Sequence, residues 1–157
     1  MLYRFTDYCS IALSEETPMK NALRIGVIFL FTLGVVAQAA NSETTVKAQE
    51  AAKAWLALVD AEQYGESWDQ AATLFRGGVS KADWEKAVKP IRSQLGTLKS
   101  RTLKSADLTR SLPGAPDGEY VVVQFDARFE NKTAALETVT SMRDKDGSWR
   151  VAGYYIR

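Results

Sequence analysis

The hydrophobic period of this chain changes once, at Gly96. Before that glycine the apolar residues recur every three or four positions; after it they alternate. Such a chain places helices first and strands second. The two must share one core, because neither a helix stripe nor a one-sided sheet buries itself. Ala51, Ala54, Trp55, Leu58 and Val59 form a first helical stripe, with Ser42 or Thr44 as the candidate cap and Tyr64-Gly65 as the interruption. Trp68, Ala71, Ala72 and Phe75 make one face of a second helix, ended by Gly77-Gly78. Ser80 caps a third helix, with Asp83 in the capping-box place and a stripe through Trp84, Ala87, Val88, Ile91 and Leu95. Pro90 is expected to kink or restart it.

Beyond Gly96, four strands are expected near residues 98–107, 120–129, 134–143 and 149–156, with a Pro/Gly loop over 111–118. A two-residue Asp146-Gly147 turn sets Val151 against Met142, Gly153 against Thr140 and Tyr155 against Thr138. An Asn131-Lys132 turn sets Phe129 against Ala134 and Phe125 against Thr138. The two turns together put Val121, Val123, Phe125, Ala127, Phe129, Leu136, Met142, Val151 and Tyr155 on the face that meets the helices. The outer face then carries Tyr120, Val122, Asp126, Arg128, Glu137, Val139, Arg150 and Tyr154. The fold class is α+β: three N-terminal helices packed on a curved four-stranded antiparallel sheet.

The start of the chain reads differently. Lys20 and Arg24 precede an apolar run from Ile25 to Val36, and Ala37-Gln38-Ala39 supplies the small residues of a cleavage site before Ala40. The run is shorter than the ~20 residues a membrane-spanning helix needs. Residues 19–39 are therefore read as a signal peptide and 40–157 as a single mature domain, periplasmic or secreted, with no stable membrane span after cleavage. Asp7, Glu15 and Glu16 do not suit a leader, and Met19 stands directly before Lys20, so residues 1–18 read as an upstream extension. The chain has one Cys and no His, and Cys9 lies in that extension. The mature domain has neither thiol nor imidazole, so core packing alone must hold it together.

Several stretches carry a family resemblance: Ala54-Trp55-Leu56-Ala57-Leu58-Val59-Asp60, Ser67-Trp68, Trp84, Leu95-Gly96, Arg101 and Gly118-Glu119-Tyr120. Glu137-Thr138-Val139 and the run from Asp146-Gly147-Ser148-Trp149 to Tyr154 continue it. With these, the chain resembles an exported bacterial family known as domain of unknown function four-thousand-and-nineteen. The helices-then-sheet order resembles the nuclear-transport-factor-two-like, or cystatin-like, α+β cone. The resemblance implies a bacterial source and a pocket between helices and sheet. It brings no activity and no functional residues, since that fold hosts isomerases, dehydratases, cyclases and plain binding modules.

Composition limits the chemistry. A net charge of +1 gives no electrostatic reason to expect nucleic acid as a partner. No cofactor and no metal site are expected; Asp144-Lys145-Asp146-Gly147 is too short for a calcium loop and suits a hairpin. Trp55, Trp68, Trp84, Phe125 and Tyr155 are the candidates to line a ligand pocket, or equally to fill the core. Tyr120, Asp126, Arg128, Glu137, Arg150 and Tyr154 are the candidate interface, for a homodimer or an envelope protein partner, since Tyr and Arg among apolar neighbours suit interface cores. Eight Lys or Arg against three acids over residues 81–110 suit the wet side of the third helix, or an anionic envelope component. The leading expectation is a non-catalytic binding or interaction module, with self-association through the outer face as one form. The alternative is an isomerase- or hydrolyase-like enzyme using Tyr155 and a carboxylate, with Asp60 or Asp69 as the helical candidates.

Overall fold

A computed structural model of the protein describes residues 34–157, with side chains from Ser42 onward. The expected upstream extension, and the expected leader as far as Leu33, lie outside the described residues. The order is α1 (Gly34–Asp60), α2 (Tyr64–Asp69), α3 (Thr73–Gly78), α4 (Lys81–Leu95), β1 (Leu98–Thr109), β2 (Tyr120–Phe129), β3 (Ala135–Arg143) and β4 (Trp149–Ile156). The strands form one antiparallel sheet in the order β1-β2-β3-β4. The fold is α+β, with four helices where the periodicity predicts three.

The additional helix comes from a tertiary contact. The stripe Trp68, Ala71, Ala72, Phe75 is continuous in sequence, but Ala72 is extended and its N–H donates to the Val151 carbonyl on β4 at 2.8 Å. That bond takes the backbone out of the helix, and Asp144 then caps the restart. One Asp144 carboxylate oxygen accepts from both the Thr73 N–H and the Thr73 hydroxyl, each at 3.0 Å. The first helix also differs from expectation. Its backbone is helical from Gly34, so neither Ser42 nor Thr44 begins it; the alanine-rich stretch before Ser42 favours continued propagation. Ser80 does cap α4, accepting from the Asp83 N–H, and α4 continues through Pro90 to Gly96, which takes a positive φ of 73°.

Ala48, Ala52, Trp55, Leu56 and Val59 of α1 pack with Trp84 and Val88 of α4 onto Val121, Val123, Phe125, Val139 and Val151 of the sheet. A second cluster gathers Leu95, Ala127, Phe129 and Ala135. The inward face of β2 is the expected one. That of β3 is reversed: Phe125 opposes Glu137, not Thr138, and Val123 opposes Val139. Ala135, Glu137, Val139 and Ser141 therefore point to the helices, while Leu136 and Met142 belong to the outer face. The cause is the turn. Glu130 and Asn131 donate their N–H groups to the Thr97 and Leu95 carbonyls, each at 2.9 Å, and the Asn131 amide donates to the Gln94 carbonyl. These bonds satisfy the open carbonyls at the end of α4. They fix the turn at Glu130-Asn131, closed by the mutual bonds of Phe129 and Lys132, and one extra residue between Lys132 and Ala135 leaves β3 one position out of the expected register. One residue of slip turns every side chain of β3 to the opposite face.

On β4, Gly153 opposes Thr140 and Tyr155 opposes Thr138 as expected, but a bulge follows and Val151 opposes Ser141. The bulge lets Val151 and Tyr154 both face the helices. Tyr155 lies on the outer face, 39% exposed.

Asp144→Ala tests the helix break. Loss of this cap should cost about 1 kcal/mol, or about 2–4 °C of melting temperature in a chain of this size. The Thr73 N–H, then the Lys145 N–H, hold the Asp144 carboxyl below its ordinary range against the opposing effect of burial. A carboxyl depressed in the folded state stabilises above its unfolded pKa, near ~4, and that stability is lost as pH falls through the folded value. Calorimetry across pH should show the full gap between wild type and variant at neutral pH, closing below about pH 4.

Candidate functional site

Asp60 is the last residue of α1, where a carboxylate meets the unfavourable end of the helix dipole and needs cations. Arg92 of α4 and Arg101 of β1 provide them. Arg92 Nη2 donates to Asp60 Oδ1 at 2.6 Å, and Arg101 grips Asp60 with both Nη atoms at 2.6 and 3.0 Å. The same guanidinium groups reach Glu137 of β3: Arg101 Nε to Oε2 at 2.6 Å and Arg92 Nη1 to Oε1 at 3.5 Å. The circuit Asp60–Arg92–Glu137–Arg101 closes on itself, two carboxylates against two cations. The Tyr154 hydroxyl donates to Glu137 Oε1 at 2.8 Å, and Arg92 also lies over the Phe129 ring at 4.8 Å. Glu137 has no exposed surface and Arg92 very little. Burial pushes the Tyr154 phenol far above its ordinary pKa, and the Glu137 charge adds to this, so Tyr154 remains a donor. Burial works against the Arg101 charge, but the bonds to Asp60 and Glu137 outweigh it and raise its basicity.

Beside this ring stand the aromatics. Trp55 lies 5.6 Å from Trp84 and 5.4 Å from Tyr154, and Phe75 meets both tryptophans edge-on. Their polar atoms are satisfied inside: the Trp55 indole donates to the Ser67 carbonyl, and the Trp84 indole to the Tyr64 carbonyl and the Ser67 hydroxyl. Among the expected pocket residues, Trp55, Trp84 and Phe125 are buried. Trp68 packs at the edge of the same cluster and donates to the Val79 carbonyl. Tyr155 does not join them, because β3 and β4 present the other face. The tyrosine that does is Tyr154.

The expected interface set is likewise divided. Glu137 and Tyr154 are inside the domain. Tyr120 is on the outer face but buried, its hydroxyl bonded to the Pro116 carbonyl. Asp126 and Arg128 are exposed there, Asp126 bridged to Lys104 and Arg128 bonded to the Thr133 carbonyl. Asp126 opposes Leu136, and Glu137 is on the other face of the sheet. Arg150 grips Asp146 with both Nη atoms at 2.8 and 2.7 Å. The basic run is largely neutralised. Lys81, Arg92, Lys99, Arg101 and Lys104 each have a carboxylate partner.

An open cleft lies at the other end of β4. It measures about 660 Å³ and is bounded by α1, the α2–α3 connection and the β3–β4 turn. Ala51, Ala54, Trp55, Trp149 and Val151 give it apolar walls; Asp69, Gln70, Thr73, Arg76, Asp144, Lys145, Asp146, Ser148 and Arg150 give it polar ones. Its size falls in the ordinary range for small-molecule sites. The Thr73–Asp144 and Ala72–Val151 bonds hold its two sides together.

The family described as "Protein of unknown function (DUF4019)" matches residues 51–154. The chain belongs to this family. No curated protein and no solved structure matches it. The DUF4019 match begins inside α1 and ends at Tyr154, so it contains the four ring residues, Tyr154 and the whole cleft lining.

Two parts of this DUF4019 site escape a reading of the sequence. Arg92 and Arg101 look like members of a solvated basic run, yet Arg92 occupies the buried stripe Trp84, Val88, Arg92, Leu95, and Ile91 is 46% exposed. The spacing from Val88 to Arg92 is the available signal. Asp60 is recognisable as a helical carboxylate, but its partners come from three later elements. Glu137→Gln should cost about 3–5 kcal/mol, because it leaves buried guanidinium charge unmatched. Tyr154→Phe should cost about 2 kcal/mol through the lost bond to a charged acceptor. Urea unfolding should show both as lower midpoints with unchanged slopes.

Proposed function

We propose that this chain is an exported, non-catalytic binding module that takes a small organic ligand in the cleft between α1, α3 and the β3–β4 turn. The cleft itself carries the reading: apolar walls beneath a rim of converging polar groups is the usual form of a ligand site. The ring favours binding over acid–base catalysis. Each oxygen of Asp60 and Glu137 accepts from a guanidinium or from Tyr154, which leaves the interior carboxylates and the tyrosine committed to one another. The helices-then-sheet order supports a nuclear-transport-factor-two-like architecture, in which ligands commonly sit between helices and sheet.

Export rests on Lys20, Arg24, the apolar run from Ile25 and Ala37-Gln38-Ala39. Among the described residues no helix is long and apolar enough to cross a membrane. Amino-terminal sequencing of the protein recovered from a bacterial periplasm should read Ala40-Asn41-Ser42; an intact Met19 would refute export by this leader.

Ala54→Trp tests the cleft. Ala54 is exposed and lines it, so an indole there occupies the space without entering the core. In a thermal-shift screen of small organic acids, amines and neutral aromatics, some compounds should raise the melting temperature of wild type and none should raise that of the variant. Binding at about 100 times Kd stabilises by about 2.7 kcal/mol, well within detection. Equal shifts in both proteins would place the ligand elsewhere.

A further inference from the structure

The cleft is lined by three acids and three bases, but they are unequally engaged. Its carboxylates are all engaged within the chain. Asp69 is bridged to Lys81 at 2.6 Å, Asp146 is gripped by Arg150, and Asp144 accepts from Thr73 and from the Lys145 N–H. Two of its cations are not matched in this way. The Arg76 guanidinium donates to one backbone carbonyl, that of Asp69 at 2.7 Å, and is in no ion pair among the described residues. The Lys145 ammonium has no hydrogen-bond or ion-pair partner among them. Both flank the contact that ties the cleft together. Arg76 lies one turn of helix after Thr73, and Lys145 directly follows Asp144.

We infer that the cleft binds an amphipathic organic anion, its oxyanion head held by Arg76 and Lys145 and its apolar body lying against Trp149 and Val151. The inference rests on the cleft being the binding site and adds the chemical class of the ligand. A planar guanidinium with free donors suits an oxyanion, and the adjacent ammonium adds a second point charge. The half-buried Trp149 offers a ring face to an apolar or aromatic body. A neutral ligand would leave both cations without a counter-charge, and an organic cation would compete with Lys81, Arg150 and Thr73 for carboxylates they already engage.

A matched pair of dyes separates charge from shape: anilinonaphthalene sulfonate and phenylnaphthylamine, which share their rings and differ by the sulfonate. Wild type should bind the sulfonate saturably and roughly tenfold tighter than the neutral dye, from two partly exposed charge contacts. The Arg76→Gln, Lys145→Gln double variant should lose that tenfold advantage and bind the neutral dye as wild type does. Raising salt from about 50 mM to about 500 mM should weaken the sulfonate alone. Ala54→Trp should block both dyes. Melting temperature and near-ultraviolet dichroism confirm that each variant is folded. Lys145→Glu, on an exposed turn, carries the same test should loss of the Arg76–Asp69 contact unfold the double variant. Unchanged sulfonate affinity in the charge variants, with Ala54→Trp still blocking both dyes, overturns the anion assignment and leaves the cleft as a site. Dye binding that survives Ala54→Trp, or no binding of either dye to wild type, overturns the cleft reading and the assignment together.

Discussion

The closed circuit of Asp60, Arg92, Glu137 and Arg101 is the constraint around which the domain is arranged. Its members come from α1, α4, β1 and β3, and Tyr154 adds β4. Glu137 lies on β3 between Ala135 of one apolar cluster and Val139 of the other, so the ring occupies the seam between the two cores. Paired charges at such a seam need not add net stability, since the cost of removing them from water offsets much of their attraction. Their effect is on what else the chain can do. A one-residue slip of β3 would move Glu137 to the outer face and leave Arg92 and Arg101 inside against a single carboxylate. The ring thus penalises the alternative register more heavily than apolar packing does, because Leu136 and Met142 would serve as core residues nearly as well as Ala135 and Ser141.

That near-equivalence explains what can and cannot be read from the residues. The strand pattern of Tyr120–Phe129 and Trp149–Ile156, the Ser80 cap and the Gly96 stop are local signals, and the structure places them where local chemistry predicts. The register of β3 is not local. Both registers offer β3 apolar residues for the inner face, and the choice is made where the end of α4 holds Glu130 and Asn131 and one extra residue follows between Lys132 and Ala135. The bulge opposite Thr140 has the same character: it lets Val151 and Tyr154 face inward together, which strict alternation forbids. The mistaken placement of Glu137, Tyr154 and Tyr155 follows from these two non-local events. So does the misreading of Arg92 and Arg101, whose carboxylates are assembled only when β3 turns over.

The cleft depends on a third non-local event, the break between α2 and α3. A helix continuous from Trp68 to Phe75 would carry Ala72 away from β4. The Ala72–Val151 bond instead uses the free edge of β4 and opens a corner where Thr73, Arg76 and the β3–β4 turn converge. Gly147 supports that corner with a φ of 81°, a conformation that costs glycine little and a branched residue much. The edge bond also blunts an otherwise exposed strand, so the feature that forms the cleft wall also limits unwanted pairing.

Ring and cleft together show how charge is distributed among the described residues, which hold neither imidazole nor thiol. Among the described residues, every buried polar side-chain atom has a hydrogen-bond partner. In the interior ring the carboxylates and guanidinium groups answer one another. Around the cleft each carboxylate has a cation within 4 Å, and two cations have no carboxylate partner among the described residues. An unpaired charge at a half-open site costs little while water solvates it, and it becomes favourable when an opposite charge replaces that water. The two regions share ion-pair chemistry but differ in closure. The oxygens of the ring carboxylates are all engaged, whereas Arg76 and Lys145 face no carboxylate beside the half-buried Trp149, and the proposed recognition therefore belongs at the start of β4 and not in the core.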